Sequence, residues 1–234
     1  MKPSDSGGQM RVGTLAALAA VALSTACAKM QEIERVAPGQ AQAAAGVGKT
    51  KTFVYEKTVV RSTAGTSAMT LQVGLTCMPR SEGVTSADNY IENSSLLEAV
   101  FKEEFERAGY TTLGTVSKGD LFGDKRDLAA DYRVAALVTK PKMNVCIPLA
   151  QWGKSDGYGE ASLTVEWQVY ASQQKAVVYT TEQKGYAKID SSVAQPIDAL
   201  WRAAYANAVR GLLADPGFIA LINGAPAASG ARTN

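Results

Sequence analysis

The chain contains three cysteines and no histidine, so thiol chemistry is the first chemistry to consider. Cys27 follows a run of small apolar residues, whereas Cys77 and Cys146 each open a similar tripeptide, CMP and CIP. A cysteine thiol can be acylated, oxidised to a disulfide or used as a nucleophile. Because histidine is the usual general base, its absence from the sequence excludes Cys-His and Ser-His-Asp catalytic sites in this chain.

The segment that ends at Cys27, RVGTLAALAAVALSTAC, has the pattern of a secretory signal. Arg11 supplies the positive charge, residues 12–23 are apolar, and small residues precede the cysteine. The apolar run is shorter than the roughly 20 residues that a membrane-spanning helix needs. We therefore predict a signal peptide over residues 1–26, and Met10 is an alternative start to Met1 because a compact signal begins there.

The last residues of this segment resemble the lipobox of bacterial lipoproteins, although Ser24 stands where that family usually has leucine and Leu23 lies one residue further back. The resemblance implies diacylglyceryl transfer to the Cys27 thiol, cleavage after Ala26 and acylation of the new amine, with palmitate as one acyl chain. Ala28, rather than aspartate, resembles lipoproteins that are sorted to the periplasmic face of the outer membrane. The alternative is an ordinary secretory signal that leaves the cysteine unmodified.

Cys77 and Cys146 each close a predicted strand, and in an oxidising periplasm they form a natural disulfide pair. The loop that they close has about 70 residues, for which a chain-entropy estimate gives at most about 4 kcal/mol of stabilisation. The alternative is two free thiols that are buried separately.

Other chemistries have weaker patterns. The net charge of +2 provides no basic footprint for nucleic acid. The residues GVGKT at 46–50 resemble the end of a phosphate-binding loop, but Ala43 replaces the required glycine and a strand pattern follows instead of a helix. The acidic residues of 120–131 lack the spacing of a calcium loop. We therefore expect no nucleotide, metal, other cofactor or nucleic-acid partner.

Two helices are predicted from apolar residues at helical spacing. The first begins near Ser95 and ends before Gly109, and the second covers residues 193–214 with Pro196 in its first turn. Ser192 and Gln195 match a capping box for the second helix. Small residues dominate its second half, which favours close contact with a sheet.

The strand predictions are residues 52–60, 69–77, 110–116, 130–138 with a continuation over 143–147, 160–171 and 176–189. The last two form a long hairpin, because apolar and polar residues alternate along the first of them. Residues 80–89 are predicted to be irregular and 151–159 a glycine-rich loop. The fold class expected is α+β: a mixed, mainly antiparallel sheet with two amphipathic helices packed on one face.

The expected organisation has four parts. Residues 1–26 form the signal peptide, 27–51 a lipidated flexible tether, 52–223 a periplasmic α+β domain, and 224–234 a disordered tail. The 46% hydrophobic content agrees with one globular domain.

Several stretches, SSLLEAVFKEEFERAGY, ADYRVAALVT, ASLTVEWQVYASQQKAVVYTTEQKGYA and AYANAVRGLLAD, resemble the α+β core of the curli secretion lipoprotein. Similar cores occur in Pel-type export lipoproteins, in flagellar outer-membrane lipoproteins and in the N-terminal domain of the Tol propeller protein. Residues 143–159 are too short and too broken for the membrane hairpins of the curli pore. The resemblance therefore implies a relative that forms no pore.

The function expected is that of a lipid-anchored, non-enzymatic binding or assembly module of an envelope export or transport system, with an envelope protein as its partner. A sensor or regulatory domain that acts on another envelope protein is the alternative, followed by a glycan-acting hydrolase with paired carboxylates. Trp152 and Tyr158 are candidate partner-binding residues in the glycine-rich loop, unless their rings cover the sheet edge. Charged guards along the last strand favour a monomer, and these are Lys175, Glu182, Lys184 and Lys188.

Overall fold

A computed structural model describes residues 32–37, 39–40, 46–61, 68–74, 77, 79–85, 95–114, 129–148 and 156–224. The predictions for the signal peptide, Cys27, Trp152 and the tail from residue 225 lie outside the described residues. The division between tether and domain at residue 51 stays a prediction.

Within these ranges, seven strands form one mixed sheet: β1 (Thr52–Arg61), β2 (Ala68–Val73), β3 (Pro79–Thr85), β4 (Thr111–Thr112), β5 (Tyr132–Ile147), β6 (Gly157–Ala171) and β7 (Ala176–Val193). The helices are α1 (Ser95–Arg107), α2 (Pro196–Ala214) and the short α3 (Pro216–Ile222). The long strand β5 is central, with β6 antiparallel along one edge and β1 and β2 parallel, end to end, along the other. At the margins, β7 pairs with β6, β3 with β2, and β4 with β1.

The predicted hairpin is present as β6 and β7, which pair in antiparallel register from Ala171 and Ala176 to Gly157 and Val193. At its open end the hairpin extends beyond the predicted bounds, to Gly157 in β6 and to Val193 in β7. The interpretation of residues 151–159 as a loop is wrong from Gly157 onward, because Tyr158 lies in β6 opposite Cys146. Backbone pairing with β5 therefore positions this tyrosine, although its partner-binding role stays a prediction.

The predicted interruption of the central strand near Pro141 is a bulge within one continuous strand. Register with β6 shifts between Thr139 and Lys142, and Lys140 has φ of 50°. Proline lacks the N–H that a regular ladder needs, so an irregularity at this point accommodates it. On the far side of the bulge, β5 changes its neighbour from β1 to β2.

Several boundaries differ from the sequence predictions. Residues 79–85 form β3 although they were predicted to be largely irregular, because pairing with β2 outweighs their polar composition. The predicted capping box is wrong, since Ser192 belongs to β7 and Gln195 precedes α2 in a left-handed conformation without a side-chain cap. Strand β4 has only two residues.

The helices pack on one face of the sheet, which confirms the predicted α+β class. Helix α1 ends at Arg107, and Gly109 terminates it, because its φ of 88° allows bonds from Gly109 N to Glu106 O and from Tyr110 N to Phe105 O. Rings from the helices and the sheet fill the core between them. The fully buried ones include Phe53, Phe101, Phe105, Trp167, Tyr205 and Phe218.

Helix α2 approaches β7 closely, as its small residues predict. A Cβ atom at Gly185 would collide with the carbonyl oxygen of Ala204, so only glycine fits this contact. Gly211 lies against the side-chain amide of Gln183, a less strict contact because that side chain can move.

A buried ionic cluster joins the two long helices. The Glu104 carboxylate, on a side chain only 5% exposed, accepts hydrogen bonds from Arg107 and from Arg210 Nε at 3.0 Å. Burial raises the pKa of Glu104, but the hydrogen bonds from Arg210 and Arg107 outweigh it and leave the pKa below its ordinary value.

Asp215 fixes the junction between α2, α3 and β7. Its Oδ1 accepts bonds from Tyr179 OH at 2.5 Å and from Gly217 N at 2.8 Å, which caps α3. Its Oδ2 accepts bonds from Thr181 Oγ1 and Gln183 Nε2, both at 3.0 Å. Burial raises the pKa of Asp215, but the hydrogen bonds to its carboxylate lower the pKa by more. The pKa of Asp215 therefore lies below its ordinary value. Burial and the bond to Asp215 raise the pKa of Tyr179 to about 12.

Candidate functional site: the open face of the sheet

The sheet face opposite the helices is called here the open face, and strand alternation places every second side chain on it. In β6, Val165, Trp167 and Val169 face the helices and are fully buried, whereas Glu166 and Gln168 point to the open face and are half-buried. The wet side of the hairpin predicted from its alternation is part of this face. It is the surface on which a partner could bind without disturbing the core.

One half of the open face contains a groove of about 300 Å³. Its walls come from four neighbouring strands, and its lining residues are Glu56, Arg133, Ala135, Gln168, Tyr170 and Val177. Arg133 Nε donates a hydrogen bond to Glu56 Oε2 at 2.8 Å. The same oxygen lies 2.7 Å from Arg133 Nη2. The groove therefore has a paired charge at one side.

The opposite side of the groove is apolar and exposed. Val177 of β7 is 54% exposed beside Tyr170, its cross-strand neighbour. Outside the groove, Val59 of β1 is 38% exposed. These are the large apolar side chains that stand out as exposed among the described residues. A mixture of apolar surface, an amide, a phenol and a fixed ion pair suits recognition of a polypeptide segment.

A stretch of the predicted tether, residues 32–37, crosses the other half of the open face and is called here the strap. Lys142 Nζ of β5 donates to Glu32 O at 3.1 Å, Arg35 lies 3.2 Å from Glu160 of β6, and the carboxylate of Glu34 lies 2.5 Å from Lys184 Nζ of β7. The strap therefore touches three neighbouring strands.

Ile33 is the apolar anchor of the strap, with 9% of its surface exposed. Burying such a side chain stabilises by roughly 1.5–3 kcal/mol. Beyond the strap, Gly39 lies against the backbone of Gly211 in α2, and Gly48 N donates to Asn223 Oδ1 at 3.2 Å next to α3. Described parts of the predicted tether thus lie against the domain on both sides of the sheet.

Under the strap is a small cavity of about 60 Å³, called here the lysine pocket. Its lining residues are Glu34, Lys140, Lys142, Ser162, Leu163, Thr164, Lys184 and Gly185. A hydrogen bond from Lys184, aided by the charges of the other two lysines, holds the pKa of the Glu34 carboxyl below its ordinary value. The same pair raises the pKa of Lys184.

The structure contains the predicted Cys77–Cys146 disulfide, with Cα atoms 5.5 Å apart. Cys146 is buried at the end of β5, and Cys77 is half-buried in the segment after β2. Tyr158 OH lies 3.1 Å from Cys77 Sγ, so this predicted binding residue contacts the disulfide. The bridge links the segment that follows β2 to β5, the strand with which β2 pairs.

The long strand β7 pairs only with β6 within the described part of the chain. Two of the charged residues that were predicted to protect this edge from pairing form ion pairs, Lys184 with Glu34 and Lys188 with Asp190, at 2.5 Å each. A third, Lys175, lies in the hairpin turn with φ of 51°. The expectation of a monomer stays a prediction.

Sequence reasoning did not identify the groove or the lysine pocket. Alternation marked Gln168 and Tyr170 as lying on a wet face, but nothing local shows that Glu56 and Arg133, 77 residues apart, meet beside them. The residues GVGKT form a 3-10 turn followed directly by β1, not by a helix. Over the described ranges, no three potential ligands cluster for a metal ion, and no helix is long and apolar enough to cross a bilayer.

The chain matches no protein-family model and no curated protein. Solved structures do show likeness, among them a DUF330 protein from Xanthomonas campestris with TM-score 0.36 and 13% identity, covering 80% of this chain and 90% of that one. The lipoprotein GNA1162 from Neisseria meningitidis has TM-score 0.30 and 7% identity, with coverage of 69% and 99%. PelC from Paraburkholderia phytofirmans, a dodecamer, has TM-score 0.36 and 10% identity, with coverage of 77% and 97%. A Pel-type lipoprotein, the kind named from the sequence, is thus among these structures.

Proposed function

We propose that this chain is a lipid-anchored, non-enzymatic binding or assembly module of an envelope export or transport system, attached through Cys27 to the periplasmic face of the outer membrane. The observation that carries the binding role is the groove on the open face, where Val177 is 54% exposed on the side opposite the paired charges of Glu56 and Arg133. An envelope protein is the partner, bound as a polypeptide segment along the groove.

Binding is favoured over catalysis by the contents of the groove. Of the described residues that line it, one is a carboxylate, Glu56, and its charge is paired with Arg133. Glycoside hydrolysis uses two carboxylates that flank the scissile bond, one of which must be able to donate a proton. A single carboxylate held by a guanidinium is suited to orienting a ligand.

Site-specific photocrosslinking in intact cells tests the partner. A benzophenone amino acid at Val177 places the probe at the rim of the groove, and one at Ala99 places it on the exposed side of α1 as a matched control. We expect Val177 to yield a crosslink to an envelope protein and Ala99 to yield none. Equal crosslinking from both positions, or turnover of a glycan by the purified protein, would contradict the proposal.

Mass spectrometry of the intact protein tests the anchor. Wild-type protein extracted from membranes should begin at Cys27 and carry acyl chains, and the Cys27→Ser variant should carry none. Sucrose-gradient fractionation should then place the wild type with the outer membrane. An unmodified wild-type Cys27 would rule the anchor out and leave the groove to be judged by crosslinking.

A further inference from the structure

The lysine pocket lies under the strap and carries a surplus of positive charge. Three lysines, Lys140, Lys142 and Lys184, line a cavity of about 60 Å³. The strap places one carboxylate, Glu34, at its mouth, 2.5 Å from Lys184 Nζ. Three positive charges against one negative charge leave the pocket with a surplus that suits an oxyanion of higher charge.

The floor of the pocket is polar as well as cationic. Ser162 and Thr164, adjacent on the open face of β6, line it and are 5% and 4% exposed. Hydroxyl groups donate hydrogen bonds to oxyanions, and lysine binds phosphate as a mobile point charge. The bulge of β5 contributes Lys140, which is exposed and forms no ion pair with another of the described residues. A phosphate group fits this set of donors better than a carboxylate does.

The distance to the anchor identifies the source of the phosphate. Glu34 follows Cys27 by seven residues, and an extended chain covers at most about 25 Å over that length. With the strap docked and Cys27 acylated, the pocket must lie within that distance of the lipid–water interface. Headgroup phosphates are the anions concentrated there.

We propose that the lysine pocket binds the phosphate group of an anionic bilayer lipid, and that Glu34 occupies the pocket when no lipid does. This inference rests on the proposed anchoring at Cys27. Exchange is feasible because the ion pair of Glu34 and Lys184 is exposed on both sides, with side chains 57% and 45% exposed, and exposed pairs contribute little to stability. Lipid binding would then orient the domain on the membrane and displace the Glu34 carboxylate from the pocket.

Vesicle sedimentation measures this binding without the covalent lipid. The mature chain, residues 27–234, carries Cys27→Ser and is exported behind an ordinary cleavable signal, so that neither acyl chains nor the signal contribute. We expect it to bind phosphatidylglycerol vesicles at least tenfold more tightly than phosphatidylcholine vesicles. Replacing Lys140 and Lys142 with Gln should remove that preference, whereas the matched control, Lys57 and Lys175 to Gln, should retain it. Both pairs change the net charge equally, and thermal melting checks that each variant is folded.

The variant Glu34→Gln tests the competition directly. It should bind phosphatidylglycerol vesicles several-fold more tightly than the parent chain, because the pocket no longer holds a carboxylate. Unchanged or weaker binding, or an equal loss in the control pair, would overturn the proposal.

A third experiment uses inorganic phosphate at millimolar concentration without vesicles and measures acetylation of the pocket lysines. Full protection by phosphate alone would assign the site to free phosphate and overturn the lipid assignment. Because the wild-type mass reports on Cys27 separately, failure of the anchor and failure of the pocket are distinguishable.

Discussion

The two faces of the sheet are built from the same strands and differ in almost every physical property. On the helix side, Trp167 is fully buried, and the ring of Phe101 lies within 6.2 Å of it. On the open face, the next residue along β6, Gln168, lines an accessible groove. The buried side chains of the helix side stabilise the fold. Side chains of the open face can therefore serve binding, because replacing them costs little stability.

Ion pairs show the same contrast. Glu104, between the helices, is 5% exposed and is bound by two arginines, whereas in the strap pair of Glu34 and Lys184 the two side chains are 57% and 45% exposed. Breaking a buried pair leaves an uncompensated charge, and breaking an exposed pair returns both groups to water. The ion pairs of Glu104 therefore belong to the stable fold, whereas the pair of Glu34 and Lys184 is one that can exchange.

The sharpest test of the contrast compares neighbouring residues of β6. Trp167→Ala should lower the free energy of unfolding by about 3–5 kcal/mol, because it leaves a large cavity in the core. Gln168→Ala, on the other face, should change it by less than about 1 kcal/mol. Urea denaturation followed by circular dichroism measures both. Similar losses for the two variants would show that the open face is also part of the stable core.

The disulfide should have the next largest effect, although it lies beside the open face. Cys77→Ser or Cys146→Ser should each lower the free energy of unfolding by about 2–4 kcal/mol, because the unfolded chain regains the freedom of a long loop. The double variant should match either single one. Two thiols that titrate in the folded, oxidised protein would contradict the bridge.

Asp215 provides a pH-dependent test on the helix side. Asp215→Ala should cost about 2 kcal/mol, since it removes the cap of α3 and the bonds from β7. The folded pKa lies below the ordinary value of 3.8, so the charged carboxylate stabilises the fold at neutral pH, and this contribution is lost as the pH falls below that value. Asp215→Asn should therefore differ less from wild type at pH 3 than at pH 6. A gap that widens on acidification would reverse the assigned sign.

The smallest effect on stability is expected in the groove. Val177→Thr should change the free energy of unfolding by no more than about 0.5 kcal/mol, because the side chain is exposed. It should nevertheless weaken crosslinking of the partner from a probe at Val59. Loss of stability without loss of crosslinking would show that the groove is structural.

The structural features that depend on local periodicity were predicted from the sequence. The alternation along β6, the apolar face of α1 and the glycine that ends it are visible over a few residues, and the structure contains them. The sequence also predicted the disulfide, because the compartment and the number of thiols limit the choices.

Features that depend on distant pairing were missed. Strand β3 has a polar sequence and exists through its pairing with β2, and Ser192 joins β7 instead of capping α2. The lysine pocket joins the strap to three strands, so its residues carry no common local pattern. Such sites arise from sheet register, which a single sequence does not display.

The arrangement of β1 and β2 along one edge of β5 has a consequence for folding kinetics. Phe53 pairs with Tyr132 and Ala68 with Lys142, separations of 79 (132 − 53) and 74 (142 − 68) residues, whereas β5, β6 and β7 follow one another as an antiparallel meander. High contact order slows folding, because the entropy of closing long loops must be overcome before their contacts form. We expect the meander to form first as a nucleus, and the strands that are synthesised first to be the last to join the sheet.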